Sequence, residues 1–326
     1  MKFVPSKFSR HQNAMTLLEL VVVIAILAVL TTVAMRSLTG VAGQSRFEVT
    51  QQTLDGIREA ILGAANDHQP DGSLVINGFI ADIGRPPVAE LVTNFDGTQS
   101  LTLDELLVQP PGALPFDVRP ATATNMTDSS QADSEVLVPC GWRGPYLRLS
   151  AGANQIMDGW GFNLANPYPL GTNFVCLSRA DSSPVNPGDE IAIVSSPGAD
   201  GVQGGSGYDT DLSITNPSSF YSASLVVTVS MSDTNGNSIT SLTNGDQVIV
   251  RVFGPDTNNL GRIAVQSQTN ANQFTFPFVD SLTQGPRAVR AYLQTGDGIF
   301  TNSSVIDYLN LHPGFNTAGL NLIRPY

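Results

Sequence analysis

The chain has 326 residues, enough for about two domains, and 41% of them are hydrophobic, enough to build cores. Only 13% are charged, against about a quarter in ordinary soluble domains, and glycine and proline are plentiful, which favours a β-rich body over helical bundles. The net charge of −12 argues against a nucleic-acid partner, because phosphate groups would repel so acidic a protein.

The first predicted element is an apolar segment at Met15–Met35, behind a leader (residues 1–14) with two lysines, one arginine and no acid. At about 1.5 Å per helical residue the segment spans about 31 Å, one hydrocarbon thickness, so we expect a transmembrane helix. The positive-inside rule places the leader in the cytoplasm and the rest of the chain outside the inner membrane. A cleaved secretory signal is the alternative, but it does not explain the acid Glu19.

Glu19 is the one acid within this apolar segment. A carboxylate there costs a few kcal/mol unless it is neutralised or paired. Cleavage after Ala14 would create an α-amine on Met15, and in a staggered helical bundle this amine would meet Glu19 of the next chain. Such a pair would fix the axial register of assembly. The alternative is that the Glu19 side chain simply reaches the membrane interface.

The segment AMTLLELVVVIAIL, from Ala14 to Leu27, resembles the class III signal of type IV pilins and type II secretion pseudopilins. The family usually has Gly before the cut and Phe after it, where this chain has Ala14 and Met15. The resemblance implies cleavage between these two residues by a prepilin peptidase, N-methylation of Met15, and an assembly role for Glu19. It also implies the pilin fold, a long N-terminal helix on a small antiparallel sheet, and a homo-oligomeric helical filament.

Beyond the membrane span, apolar residues at spacings of three, four and seven predict that the helix continues to about residue 66 and covers a sheet. The following connection is harder to interpret: we expect a short helix at Leu101–Val108 and an exposed, mobile loop at Ala121–Ser134. Outside the cytosol, Cys140 and Cys176 would form one disulfide or remain two buried thiols.

Two aromatic segments follow, GWRGPYL at residues 141–147 and DGWGFN at residues 158–163. Their tryptophans and tyrosine are expected to pack over a small sheet. Both segments resemble the body of the major, G-type pseudopilin.

A glycine-rich loop containing Asp200, Asp209 and Asp211 follows a predicted buried strand at Glu190–Ser195. Glycines let backbone carbonyls turn inward, and carboxylates neutralise a hard cation such as Ca²⁺, which takes six to eight oxygens. The alternative is a solvated turn. Major pseudopilins bind Ca²⁺ in a loop at this point, and by this resemblance the three aspartates match its acidic ligands.

Residues 216–326 contain short β-branched runs separated by turn pairs, which predicts an antiparallel, immunoglobulin-like sandwich. The sequence shows no nucleophile–base pair, phosphate loop or His/Cys ligand cluster, so we do not expect an enzyme.

Together these features predict an α+β protein of four parts. They are the leader (1–14), the N-terminal helix (15–66, membrane span 15–35), a pseudopilin-like body with an enlarged loop (67–215) and an all-β sandwich (216–326). The expected function is a structural subunit of a type II secretion pseudopilus, with its body in the periplasm. Other pseudopilins, the inner-membrane secretion platform and the prepilin peptidase are the expected partners. The alternative is a type IV pilin or minor pilin-like adhesin whose sandwich binds surfaces or ligands.

Overall fold

The structure is a computed structural model. It describes residues 17–64, 77–93, 99–126, 133–149, 153, 156–162, 166–167, 175–178, 186–202, 204–216, 218–242, 245–271 and 273–325. Within these ranges the chain has a long N-terminal helix followed by a mostly β body, which confirms the predicted α+β class.

The first helix, α1, runs over Leu17–Leu62, 46 residues, and ends where Gly63 adopts the left-handed conformation with φ 90°. The amide of Gly63 donates to the carbonyl oxygen of Glu59 at 2.8 Å, which closes the last turn. The second half of α1 buries Leu54 and Ile57, as the spacing of its apolar residues predicts.

A small α/β body packs on that half of α1. It contains the short helix α2, which is completely buried, and three small antiparallel groupings of strands with the orders β1-β2-β5, β3-β4 and β6-β7-β8. The core formed with α1 includes Phe79 and Ile80 of α2, Ile191 and Val194 of β7, and Tyr221 beyond the body. The elements are α2 (Phe79–Ile83), β1 (Glu90–Thr93), β2 (Gln99–Thr102), β3 (Asp117–Ala121), β4 (Asp133–Cys140), β5 (Asn166–Pro167), β6 (Val175–Ser178), β7 (Ile191–Ser196) and β8 (Leu212–Thr215).

The described residues from Ser222 to Arg324 form two sheets that share one core. One sheet has the order β12-β9-β16; the other has the order β11-β10-β13-β14, with β15 also paired to β13. Alternate residues of both sheets, such as Val227 and Val250, are fully buried between them. The strands are β9 (Ser222–Asp233), β10 (Gln247–Pro255), β11 (Ile263–Asn270), β12 (Thr275–Thr283), β13 (Gly285–Gln294), β14 (Phe300–Ser303), β15 (Asp307–Leu311) and β16 (Gly314–Arg324).

One strand pair departs from the predicted antiparallel arrangement. β16 pairs with β9 in parallel over eleven positions, from Gly314 opposite Ala223 to Arg324 opposite Asp233. The prediction missed β16 as a separate strand and ended the last β run at Leu309. The immunoglobulin-like topology stays a prediction.

The β3–β4 hairpin joins the body to the sandwich. Its apolar side chains, including Met126 and Val138, form a core with Phe253 of β10 and Ile263 of β11. At the start of β4, the Asp133 carboxylate accepts two hydrogen bonds of 3.0 Å from the Arg290 guanidinium. It also accepts one from the hydroxyl of Tyr292.

One prediction for the enlarged connection was wrong, and another lies partly outside the described residues. Leu101–Val108 is not a regular helix: it contains the end of β2 and a single 3₁₀ turn at Asp104–Leu106. Of the predicted mobile loop Ala121–Ser134, residues 127–132 lie outside the described part of the chain; among the others, Ala121 and Met126 are buried, and β4 begins at Asp133. The polar composition of this segment hid the fact that Ala121 and Met126 pack against the sandwich.

Candidate functional site

The N-terminal half of α1 presents apolar side chains that no other part of the described chain covers. Leu17 is 81% exposed and Val33 is 63% exposed, and every side chain between them is exposed. Among the described residues, α1 is the one helix long and apolar enough to cross a membrane. The hydroxyls of Thr31 and Thr32 donate to carbonyl oxygens of the preceding turn, so they add little polar cost in lipid.

Just beyond this apolar half, the glycine-rich acidic loop contacts α1 through Tyr208. The Tyr208 hydroxyl donates to the carbonyl oxygen of Gly40 at 3.2 Å. A Cβ at Gly43 would approach the Tyr208 ring to 2.8 Å, so the ring requires glycine at this point of the helix. Phe47 of α1 lies 6.2 Å and Trp160 lies 6.3 Å from Tyr208, measured between ring centroids. The acidic loop is therefore attached to the helix where the helix leaves its apolar segment.

The DGWGFN turn makes a second contact with the same part of α1. The amide of Gly159 donates to the Thr50 hydroxyl at 3.0 Å, and a Cβ on Gly159 would lie 2.0 Å from the carbonyl oxygen of Arg46. The buried Asp158 carboxylate holds the turn, accepting the amides of Trp160 and Phe162 at 3.0 and 2.8 Å. It also accepts the Ser196 hydroxyl at 2.7 Å, which ties the turn to the end of β7.

The three aspartates of the predicted calcium set lie in this loop but do not form one cluster. Asp200 accepts the amide of Val202, and Asp211 accepts the amide of Gly204, both at 3.0 Å. Across the described ranges, no three His, Cys, Asp or Glu side chains are close enough together to hold a metal ion. Among the described residues, Oδ1 of Asp211 nevertheless has no hydrogen-bond partner although it is buried, as a cation ligand would be. The calcium site stays a prediction.

A buried carboxylate, Asp82 of α2, lies near the C-terminal part of α1. It accepts hydrogen bonds from the Arg143 guanidinium at 2.8 Å and from the Tyr146 hydroxyl at 3.0 Å. Burial raises the pKa of Asp82 to about 6, against the weaker lowering effect of Arg143 and Tyr146. Asp82, Arg143 and Tyr146 line a cavity of about 400 Å³ together with Glu59 of α1. In the sequence, the only sign of this group is an acid within an apolar run.

Cys140 is a buried free thiol at the end of β4, and its Sγ donates to the carbonyl oxygen of Gly261. Desolvation raises the pKa of this thiol to about 11. Cys140 itself is thus a buried thiol, and the two alternatives for its pairing with Cys176 stay a prediction. The side chain of Cys176 lies outside the described part of the chain, as do the predicted processing residues Ala14 and Met15. Glu19 lies in the first turn of α1, and its side chain is exposed.

Residues 9–35 match the family described as the prokaryotic N-terminal methylation motif. This match includes the predicted cleavage position, Glu19 and most of the apolar half of α1. It supports a type IV pilin-like protein with a single N-terminal membrane anchor. Searches of curated proteins and of solved structures gave no match.

Proposed function

We propose that this protein is a structural subunit of a type II secretion pseudopilus that polymerises through the apolar half of α1. The main support is the methylation motif at residues 9–35, which coincides with the part of α1 that nothing else in the described chain covers. A helix with this surface is stable in lipid before assembly, and among neighbouring helices in the core of a filament afterwards.

The two contacts at the membrane end of the body support the same proposal. Tyr208 and Gly159 hold the acidic loop and the DGWGFN turn against α1 between Gly40 and Thr50. Because the body is attached there, any step that α1 makes along the filament axis is transferred to the body. In the periplasm, such a filament would support export of folded proteins across the outer membrane, together with other pseudopilins and the inner-membrane platform.

Glu19 provides the sharpest test of assembly. After cleavage, its carboxylate would pair with the α-amine of Met15 in the next subunit and so fix the axial step. We expect Glu19→Gln to insert into the membrane normally but to yield no filaments when cells expressing the secretion machinery are sheared. The matched control is Glu48→Gln, an exposed acid in the same helix, which should assemble like the unsubstituted protein. Normal filaments from Glu19→Gln would refute this role.

The alternative function is a type IV pilin or minor pilin-like adhesin, and the pair of packed sheets formed by β9 to β16 is the observation that favours it. A deletion strain distinguishes the two functions. Loss of extracellular enzyme export, with surface adhesion and twitching unchanged, supports the pseudopilus. The reverse result supports the adhesin.

We also propose that the acidic loop binds Ca²⁺, held by Asp211 with Asp200 or Asp209 and backbone carbonyl oxygens. The unpartnered Oδ1 of Asp211 supports this proposal. The ion would strengthen the loop that carries Tyr208 against α1. Calorimetric titration of the detergent-solubilised protein should detect binding at millimolar Ca²⁺ or below, and Asp211→Asn should remove it. The absence of binding to the unsubstituted protein would refute the site.

A further inference from the structure

The last strand of the sandwich, β16, lies at the edge of its sheet. Within the described residues it pairs with β9 alone, although it is eleven residues long. Its even-numbered residues from Ala318 to Leu322 are buried, and its odd-numbered residues from Phe315 to Ile323 are exposed. Phe315 is 73% exposed and Ile323 is 51% exposed, so two large apolar side chains stand near the ends of the outer face.

This edge lacks the features that usually prevent strand pairing between molecules. Proteins protect edge strands with charged side chains, prolines, bulges or short length. From Gly314 to Ile323 there is neither a charge nor a proline, and the pairing with β9 contains no bulge. With a net charge of −12, two copies of this protein repel each other over most of their surface. An uncharged strand is where two copies can approach without that repulsion.

The backbone groups of the exposed residues point to the open edge. The carbonyl oxygen of Ile323 accepts a hydrogen bond from the Asn302 side chain of β14, so it faces away from β9, and a second strand at this edge would have to displace Asn302 there. Because backbone direction alternates along a strand, the amides and carbonyls of Asn321, Gly319, Thr317 and Phe315 face the same way.

The exposed face is complementary to itself when two copies are antiparallel about Gly319. Phe315 of each copy then lies opposite Ile323 of the other, an aromatic residue against a β-branched one, which is a favourable cross-strand pair. Thr317 lies opposite Asn321, so polar side chains also face each other. Gly319 lies opposite itself, on the two-fold axis.

Without a second copy, nothing in the structure explains why residue 319 is a glycine. A Cβ built on it meets nothing within 4 Å, and its φ is outside the left-handed region, so the fold of its own chain does not require glycine. Glycine within a strand lowers stability relative to alanine and often marks the close approach of another backbone. A second β16 on the two-fold axis provides that backbone.

We propose that β16 pairs with β16 of a second copy, antiparallel and centred on Gly319. The result is a continuous six-stranded sheet with the order β12-β9-β16-β16-β9-β12. The contact uses the same surface on both copies, so it is complete after two copies and cannot propagate by itself. It would link two subunits or two filaments side by side, and it is independent of the contacts through α1.

Disulfide trapping in the full-length, membrane-inserted protein tests the pairing and its register. In Gly319→Cys, the two α-carbons would be about 5.5 Å apart across a hydrogen-bonded pair, within the range of a disulfide. We expect a covalent dimer on mild oxidation. In Asn321→Cys alone, the two cysteines would be about 14 Å apart, so this variant on the same face is the matched control and should not cross-link. A mixture of Thr317→Cys and Asn321→Cys should cross-link, because these positions are opposite each other.

The unsubstituted protein, with Cys140 and Cys176, provides the background. The proposal is overturned if Gly319→Cys cross-links no better than Asn321→Cys. It is also overturned if the mixture of Thr317→Cys and Asn321→Cys does not cross-link, because the register would then be different. A second variant, Gly319→Lys, has open space for its side chain but places two like charges on the axis. It should weaken self-association in detergent at least tenfold, and unchanged association would equally overturn the proposal.

Discussion

Replacing Asp82 with asparagine should change how stability depends on pH. In the folded protein two effects on this carboxyl oppose each other. Burial favours the neutral acid, whereas Arg143 and Tyr146 favour the carboxylate. Burial is the larger effect and raises the pKa from 3.8 to about 6. The folded state therefore holds a proton on Asp82 between about pH 4 and pH 6, where the unfolded state has already lost it.

The sign and size of the effect follow from this difference in proton binding. Because the folded pKa is raised, the stabilisation is complete below about pH 4 and is lost as the pH rises through 6. At 1.36 kcal/mol per pKa unit, the loss amounts to about 3 kcal/mol. The asparagine of Asp82→Asn would keep the shape and can still accept the Tyr146 hydroxyl, but it does not titrate. Arg143, whose side chain is half exposed, can remain solvated.

The assay is denaturant unfolding of Asp82→Asn and the unsubstituted protein in detergent, at pH 4 and at pH 7.5. The other acids titrate in both proteins, so their contributions cancel in the difference between the two free energies of unfolding. We expect the unsubstituted protein to lose about 3 kcal/mol relative to Asp82→Asn between the two pH values. The reasoning would be refuted if the difference between the two free energies of unfolding did not change with pH, or if the unsubstituted protein gained stability relative to Asp82→Asn as the pH rose. The latter result would mean that pairing with Arg143 outweighs burial.

Three further predictions concern the cores and the domain junction. Ile57→Ala should lower the free energy of unfolding by about 2–5 kcal/mol, because Ile57 is fully buried, whereas the half-exposed Val49→Ala should cost far less in the same denaturation experiment. Asp133→Ala should lower the free energy of unfolding by about 3 kcal/mol, because Arg290 loses that carboxylate partner. Amide hydrogen exchange in the β3–β4 hairpin should become faster. Glu135 is an exposed partner of the same arginine, so Glu135→Ala should change hydrogen exchange in the hairpin little. Equal effects of Asp133→Ala and Glu135→Ala would contradict this account. The Cys140 thiol should not react with iodoacetamide at pH 8 until the protein unfolds; rapid reaction in the native state would contradict its burial and raised pKa.

Much of the N-terminal architecture could be predicted from the sequence because its determinants are local. The apolar run and the later spacing of Leu54 and Ile57 indicated one helix, and the structure has α1 over Leu17–Leu62. Glycine-containing turns likewise separated most strands of the sandwich. Such features depend on neighbours in the sequence, which a single sequence displays directly.

The sequence did not reveal features that depend on distant residues. Asp82 meets Arg143 from 61 positions away, and Ala121 and Met126 pack against side chains of the sandwich that follow much later in the chain. The outer face of β16 mixes apolar, small and polar residues, so its sequence pattern was weak, and its parallel register is set by β9. The composition of the acidic loop suggested that it binds a cation. It did not indicate that Tyr208 of this loop contacts α1.

The central claim is that the apolar half of α1 is a processed pilin-type assembly segment. Mass spectrometry of the mature protein from its native membranes tests this most directly. We predict an N-terminal peptide that begins at Met15 and carries one methyl group on its α-amine. A mature chain that begins at Met1, or at a site after the apolar segment, would contradict the claim.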